Sequence, residues 1–362
     1  MSSNGLRLPE PVDPVEFAAD RAAEHGVPLA DGLPPAAEVR SGVWVLPQPT
    51  PGNGIPQYTL SYAIFDAAGG VHLVDPGWDT DENAGRLAAF LADRGARLDD
   101  VASVTATHLH PDHLGLAERL RRETGARVQL HAHEQEAARR LAASSLTAVE
   151  TATARLDGWG VPSAERDELM AVARVAATAG PRTTEVSTGV GPAGFTADLL
   201  LRDGDLLDVA GRRIEVLHTP GHTPGHLALV DHDDELLFTG DLVLPTVYPG
   251  LGLGGPADDP LGDYLRSLDR VSGYDRHEVL PGHGYRFTGI AERCADIREH
   301  HLKRSREIAA LHAEHPESSV WQLAAHVSWT AGWANLHGFY RVSALSQTAL
   351  HLTHLQRAEA AA

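Results

Sequence analysis

The sequence predicts an α+β fold with its chemistry gathered at strand ends, and two observations carry that prediction. Strand-length apolar runs alternate with stretches of helical periodicity from Val43 onward. Directly behind one of those runs, four imidazole or carboxylate side chains fall within six positions: His108, His110, Asp112 and His113. The run Val101 to Thr107 has the length and β-branched content of a buried strand, and Leu116 to Arg122 reads as a helix. The four groups therefore lie on a strand-to-helix turn. Extended residues i and i+2 point the same way, so His108 and His110 can converge on one ion. Asp112 and His113, past the bend, face a neighbouring position that suits a second ion. Imidazole together with carboxylate favours Zn²⁺, with Fe or Mn as alternatives.

In chain order, residues up to about Arg40 form an extension with one helical pattern, Pro14 to His25, and a proline-rich run through Pro34 and Pro35, expected to pack as an arm on the surface. Val43 to Leu46, Tyr58 to Phe65 and Val71 to Val74 read as strands; the last two are joined by a hairpin turn, Asp66-Ala67-Ala68-Gly69-Gly70. Pro49 to Pro56 is too rich in breakers for regular structure and is expected to be a loop or flap. Asp79 or Thr80 can cap a helix whose Leu87, Phe90 and Leu91 share a face. Val128 to His131 reads as a strand and Glu134 to Leu141 as a helix. His131 and His133 alternate as on a strand and are expected to be structural.

Residues 142–198 break this rhythm with alanine-rich helical patterns, interrupted at Pro162, and a Gly/Thr/Ser-rich run, an insertion placed to serve as a lid. A helix opens at Asp263 to Leu268, and further helical patterns run over Ala291 to His312, Ser319 to Val327 and Ser343 to Leu355. The expected division is an extension (1–41), a main domain (42–290) and a helical appendix (291–362).

Composition narrows the function classes. The chain has 362 residues, 43% of them hydrophobic and none in a long apolar run, as expected of a globular protein without a membrane span. One cysteine, Cys294, excludes an intramolecular disulfide, and Met1-Ser2-Ser3-Asn4-Gly5 lacks the basic-then-apolar pattern of a leader, so a cytoplasmic location is expected. A formal charge of −19 opposes broad contact with phosphate backbones. No Gly-x-Ser-x-Gly elbow is present to supply a side-chain nucleophile.

Four more motifs place an acid or imidazole beside glycine at strand ends: Val74-Asp75-Pro76-Gly77, His218-Thr219-Pro220-Gly221-His222-Thr223-Pro224-Gly225-His226, Phe238-Thr239-Gly240-Asp241 and Leu280-Pro281-Gly282-His283-Gly284. With the His108 turn, this ordered set resembles the metallo-β-lactamase superfamily over about Gly42 to His301. The resemblance implies an αββα sandwich. It implies one metal held by His108, His110 and His222, a second by Asp112, His113 and His283, and Asp241 bridging the two. Asp75 matches an acid that orients a ligating imidazole from behind. His226 is left behind the ligands or in the pocket, His218 in strand-end packing. Trp78, after the Asp75 turn, and Tyr248, after the Asp241 motif, are candidate pocket walls.

Asp263 to Leu268, His300-His301 with Arg304-Ser305-Arg306, and Ala349 to Leu355 resemble a sub-branch with a winged-helix-like C-terminal appendix, which includes β-lactamase-like protein 2 and bacterial hydrolases similar to it. The implied chemistry uses a water acidified by two Zn²⁺ ions against the carbonyl of a thioester, ester or lactone. Asp241 would position that nucleophile and Asp112 move its proton to the leaving group. The expected partner is a small-molecule or acyl-thioester substrate.

Two alternatives from the same family are an endoribonuclease-type phosphodiesterase and an iron-dependent persulfide dioxygenase. From Ala291 onward seven Lys/Arg balance seven Asp/Glu, which disfavours nucleic acid and points the appendix toward packing or a homodimer contact. The diiron flavoproteins usually carry Glu where His110 stands.

Overall fold

A computed structural model describes residues 8–24, 33–51, 56–143, 147–178, 195–255 and 257–361. The first sheet comprises β2 (Ala37–Arg40), β3 (Val43–Pro49), β4 (Tyr58–Phe65), β5 (Val71–Val74), β6 (Val101–Thr105), β7 (Arg127–His131) and β8 (Leu199–Leu201), in that spatial order. The second contains β1 (Glu10–Pro11), β9 (Ile214–His218), β10 (Leu227–Asp231), β11 (Leu236–Gly240), β12 (Glu278–Pro281) and β13 (Phe287–Thr288), ordered β1-β13-β12-β11-β10-β9. From β2 to β5 neighbouring strands are antiparallel, as a hairpin between Phe65 and Val71 requires; from β5 to β8 they are parallel. A parallel step needs a crossover. Helix α2 (Asp81–Ala92) supplies the one between β5 and β6, and Thr80 caps it by accepting the Asn83 amide at 3.0 Å.

Alternation along the strands builds three apolar layers. Val43, Val45, Leu60 and Ile64 of the first sheet meet Leu227, Leu229, Phe238 and Leu280 of the second. The intervening residues Ala228 and Val230 face α8 (Pro260–Val271) and α9 (Ile290–Glu314) through Tyr264, Leu268, Ile290 and Ile297. On the outer side of the first sheet, Leu73, Val104 and Val128 pack on Leu87, Phe90 and Leu91 of α2 and on Leu120 of α4 (Ala117–Thr124). The result is the four-layer αββα sandwich that the motifs implied. Both faces of each sheet are covered, which is why strands such as Leu236–Gly240 read as continuous apolar runs.

Several local expectations need correction. The N-terminal stretch is not merely a surface arm: β1 pairs with β13 and β2 with β3, extending one edge of each sheet. Helix α1 (Pro14–Glu24) is pinned by the buried Glu16, which accepts from Arg286 Nε at 2.8 Å and its backbone amide at 2.9 Å. Strand β3 continues through Pro47 to Pro49, and residues 52–55 of the following loop lie outside the described set. Helix α8 starts at Pro260 with Asp259 as its cap, so Asp263 sits in the first turn. His131 ends β7 and α5 (Ala132–Ala143) begins at the next residue, so His131 and His133 do not share a strand.

The insertion forms α6 (Ala148–Gly158) and α7 (Ser163–Thr178) on either side of Pro162, while residues 179–194 lie outside the described set. Its apolar side is spent on the appendix. Leu156, Val161, Leu169 and Met170 pack with Ala324 of α10 (Val320–His326) and Leu345 of α11 (Gly338–Ala361). No helix among the described residues is long and apolar enough to cross a membrane.

Candidate active site

The seven donors lie in the turns just beyond the ends of β6, β9, β11 and β12, and Asp75, behind them, follows β5. Strand β6 delivers His108 and His110. The short helix α3 (Pro111–Leu114), with proline at its first position, turns His113 back beneath them. The His222 loop follows β9, Asp241 follows β11, and His283 follows β12.

The seven donors form two groups. His110 Nδ1 lies 2.8 Å from His108 Nε2 and 3.2 Å from His222 Nε2. His283 Nε2 lies 3.3 Å from His113 Nε2 and 3.3 Å from Asp112 Oδ2. Asp241 stands between them: Oδ1 is 3.4 Å from His113 Nε2 and 3.5 Å from His283 Nε2, and Oδ2 is 3.7 Å from His222 Nε2. Glycine makes this proximity available. A Cβ on Gly282 would stand 2.6 Å from both Asp241 Oδ1 and His113 Cε1.

Groups behind the rings fix which nitrogen faces inward. His113 Nδ1–H donates to Asp75 at 2.8 Å, His222 Nδ1–H to the Gly250 carbonyl at 2.7 Å, and His283 Nδ1–H to the Tyr58 carbonyl at 2.8 Å. Thr107 gives its hydroxyl proton to Asp75 at 2.8 Å, which leaves its oxygen to accept from His108 Nδ1–H at 3.0 Å. With Nδ1 committed to these partners, it is the other nitrogen of each of the four rings that faces inward, the one a metal would take in place of a proton. Asp75 thus supports ligands of both groups, from a left-handed backbone position, φ 51°, rare for a non-glycine residue. His226, fully buried, accepts the Asp241 amide at Nε2 (3.1 Å) and pairs through Nδ1 with Thr219 Oγ1 (2.9 Å).

These residues fit a pair of cations. Facing lone pairs about 3 Å apart repel unless positive charge lies between them, and Asp241 Oδ1 is buried with no hydrogen-bond partner among the described residues. Burial and the His222 ring push His110 down to about 3. Burial acts the same way on His113, yet the charges of Asp241, Asp75 and Asp112 override it and hold that ring up at about 10. The carboxylates create a strong local demand for positive charge.

Trp78 is buried beyond the Asp75 turn, its carbonyl accepting from Asn83 Nδ2 at 2.9 Å. Tyr248 is drawn to α9, stacked on His300 with centroids 3.7 Å apart. Sequence reasoning missed two features. Glu134, fully buried in the first turn of α5, accepts the Leu109 amide at 2.9 Å and the Gly225 amide at 2.5 Å, clamping the His108–His110 segment to the His222 loop. Its only sequence trace is an acid at a helix start, which ordinarily reads as capping. His218, from β9, stacks on His131 at 4.1 Å, with His133 edge-on to both.

The Metallo-beta-lactamase superfamily model matches residues 54–283. A beta-lactamase-like protein 2 homolog of Caenorhabditis elegans is 31% identical over 153 residues, 42% of this chain and 48% of that protein. Human acyl-coenzyme A thioesterase MBLAC2 is 32% identical over 111 residues, 30% of this chain and 38% of the relative. The chain thus spans less than half the length of either. A solved metallo-beta-lactamase family protein of Thermus thermophilus is 31% identical with a TM-score of 0.67, covering 89% of this chain and 95% of that one. With sandwich, motif order and donor geometry in agreement with these matches, the chain belongs to the metallo-beta-lactamase superfamily.

Proposed function

We propose that this chain is a dinuclear metal-dependent hydrolase of acyl thioesters, with esters and lactones as related carbonyl substrates. The observation that carries the reading is the division of seven donors into two groups sharing Asp241, with the His108, His113, His222 and His283 rings held in the ligating tautomer from behind. His108, His110 and His222 would hold one ion, Asp112, His113 and His283 the other, with Zn²⁺ best matched to nitrogen and carboxylate donors. Bound there, such ions supply Lewis acidity, bringing the pKa of water toward neutrality and polarising a carbonyl.

The chain's own residues do the rest. Asp241, whose backbone amide is fixed on His226, orients the attacking water between the groups. Asp112, partly exposed and held in its ionised form by His113 and His283 against its burial, is placed to take the proton and deliver it to the leaving group. The thioester choice draws support from the relative named as an acyl-coenzyme A thioesterase.

The test is a panel of acyl-coenzyme A thioesters, lactones, aryl esters and single-stranded RNA assayed with the metal-loaded protein. Thioester hydrolysis with the highest kcat/KM is the expected result. RNA cleavage without carbonyl hydrolysis would replace the proposal with the phosphodiesterase reading.

A further inference from the structure

Outside the seven-donor centre, one more cluster of ligand-type side chains occurs among the described residues: His131, His133 and His218. Each comes from a different element. His131 closes β7, His133 opens α5, and His218 closes β9, so the first and second sheets meet at this point. Their ligand nitrogens all lie within 4.8 Å of one another. Tetrahedral Zn²⁺ with nitrogens at about 2.0–2.1 Å needs donors roughly 3.4 Å apart. Bringing atoms up to 4.8 Å apart to that spacing takes up to about 1.4 Å of motion, to which the exposed His133 side chain can contribute, and a turn of the His131 and His218 rings out of their parallel stack.

We propose that His131, His133 and His218 form a separate metal site for a borderline divalent cation such as Zn²⁺, Ni²⁺ or Cu²⁺. Three imidazoles without thiolate select that class of ion. The tautomer of His218 fits: its Nε2–H donates to the Pro224 carbonyl at 3.0 Å, leaving Nδ1 as a bare lone pair. This is the arrangement that carbonyls impose on His222 and His283 at the main centre. His131 Nδ1 accepts only a long bond, 3.2 Å, from the His133 amide, and an ion can replace that contact. Burial and the neighbouring rings push His131 down to about 3 and lower His218, so both are neutral near pH 7 and no proton has to be displaced. A cleft of about 230 Å³ lined by His133, Glu136 and Pro224 gives an ion access from solvent.

The site has a mechanical consequence. Pro224 and Gly225 form a strap between the two centres, tied on one side to His218 and on the other to Glu134. An ion on the three imidazoles would fasten edge strand β9 to β7 and α5, stiffening the loop that presents His222.

The experiment is a Zn²⁺ titration of the full-length protein followed by metal analysis, comparing wild type with His133→Ala and His218→Ala and using His337→Ala as an exposed-histidine control. The proposal expects each of the first two variants to retain one equivalent fewer than wild type, with His337→Ala unchanged. Because the reading is a difference, it holds whatever number the main centre takes. His133 is exposed, so its variant decides the matter even if His218→Ala folds poorly. Equal stoichiometry in wild type and His133→Ala would overturn the site.

Discussion

Asp75, Asp241, Gly282 and Glu134 act on the same ligands by different physical means, and substitution separates them. Asp241→Ala removes the carboxylate shared by both donor groups and should lower both metal content and rate by more than Asp75→Ala. Asp75→Ala leaves the ligands in place and should weaken metal affinity by about 10 to 100-fold; equal losses, read by elemental analysis and kcat, would contradict the shared role. Gly282→Ala tests proximity alone, since its φ is not in the left-handed region: a methyl 2.6 Å from Asp241 Oδ1 should displace that carboxylate and cost metal without unfolding the chain.

Glu134 tests pH. Burial raises its carboxyl to about 7 even though the Leu109 and Gly225 amides favour the ionised form. An acid whose folded pKa exceeds its unfolded value binds its proton more tightly when folded. Its contribution to stability therefore falls as pH rises from about 4.5, where the unfolded carboxyl ionises, to about 7, by on the order of 3 kcal/mol. In urea unfolding of metal-free protein, Glu134→Gln should remove that decline, and parallel pH curves for the two proteins would contradict it.

At the scale of elements, two junctions hold the molecule together. Arg286 is buried with Glu16 of α1 and Glu278 of β12, at 2.8 and 2.6 Å. Arg286→Met leaves the buried Glu16 without its guanidinium and Glu278 with Arg40 alone, and should cost about 3–5 kcal/mol by denaturant midpoint. The second junction is the apolar seam where α6 and α7 meet α10 and α11. Leu345 is fully buried there, and Leu345→Ala should cost about 2–5 kcal/mol. Truncation near Ala291 would expose that seam together with Ile290, Tyr264 and Leu268, and should give protein that aggregates or binds ANS.

The sequence shows the strands that carry the ligand turns clearly, misses the short edge strands β1, β2, β8 and β13 and the strand β10, and shows the apolar seam poorly, for a physical reason. Strands and the ligand turns depend on local periodicity and on Gly-flanked strand ends, so β4 and β5 match their expected bounds of Tyr58 to Phe65 and Val71 to Val74. What α6 and α7 cover depends on a partner surface in a distant part of the chain, which no local pattern records. The His131, His133 and His218 cluster escaped for the same reason: three imidazoles from three elements have no common spacing. The Glu134 clamp was hidden because its partners are backbone amides, which every sequence carries.

For the whole molecule, charge and architecture bear on one claim. With a net charge of −19 and a neutral appendix, the protein should show no salt-sensitive binding to RNA or DNA at low ionic strength. Tight binding that weakens steeply with added salt would favour the phosphodiesterase reading. The sandwich places four strand ends so that seven donors meet in two groups, and the proposed chemistry depends on both groups being filled. Metal content and hydrolytic activity measured together on one preparation test this most directly. The account predicts about two transition-metal equivalents per chain at the main centre in the His133→Ala background, activity that a chelator abolishes, and recovery when Zn²⁺ is returned. Purified protein that is fully active with no bound transition metal would contradict it.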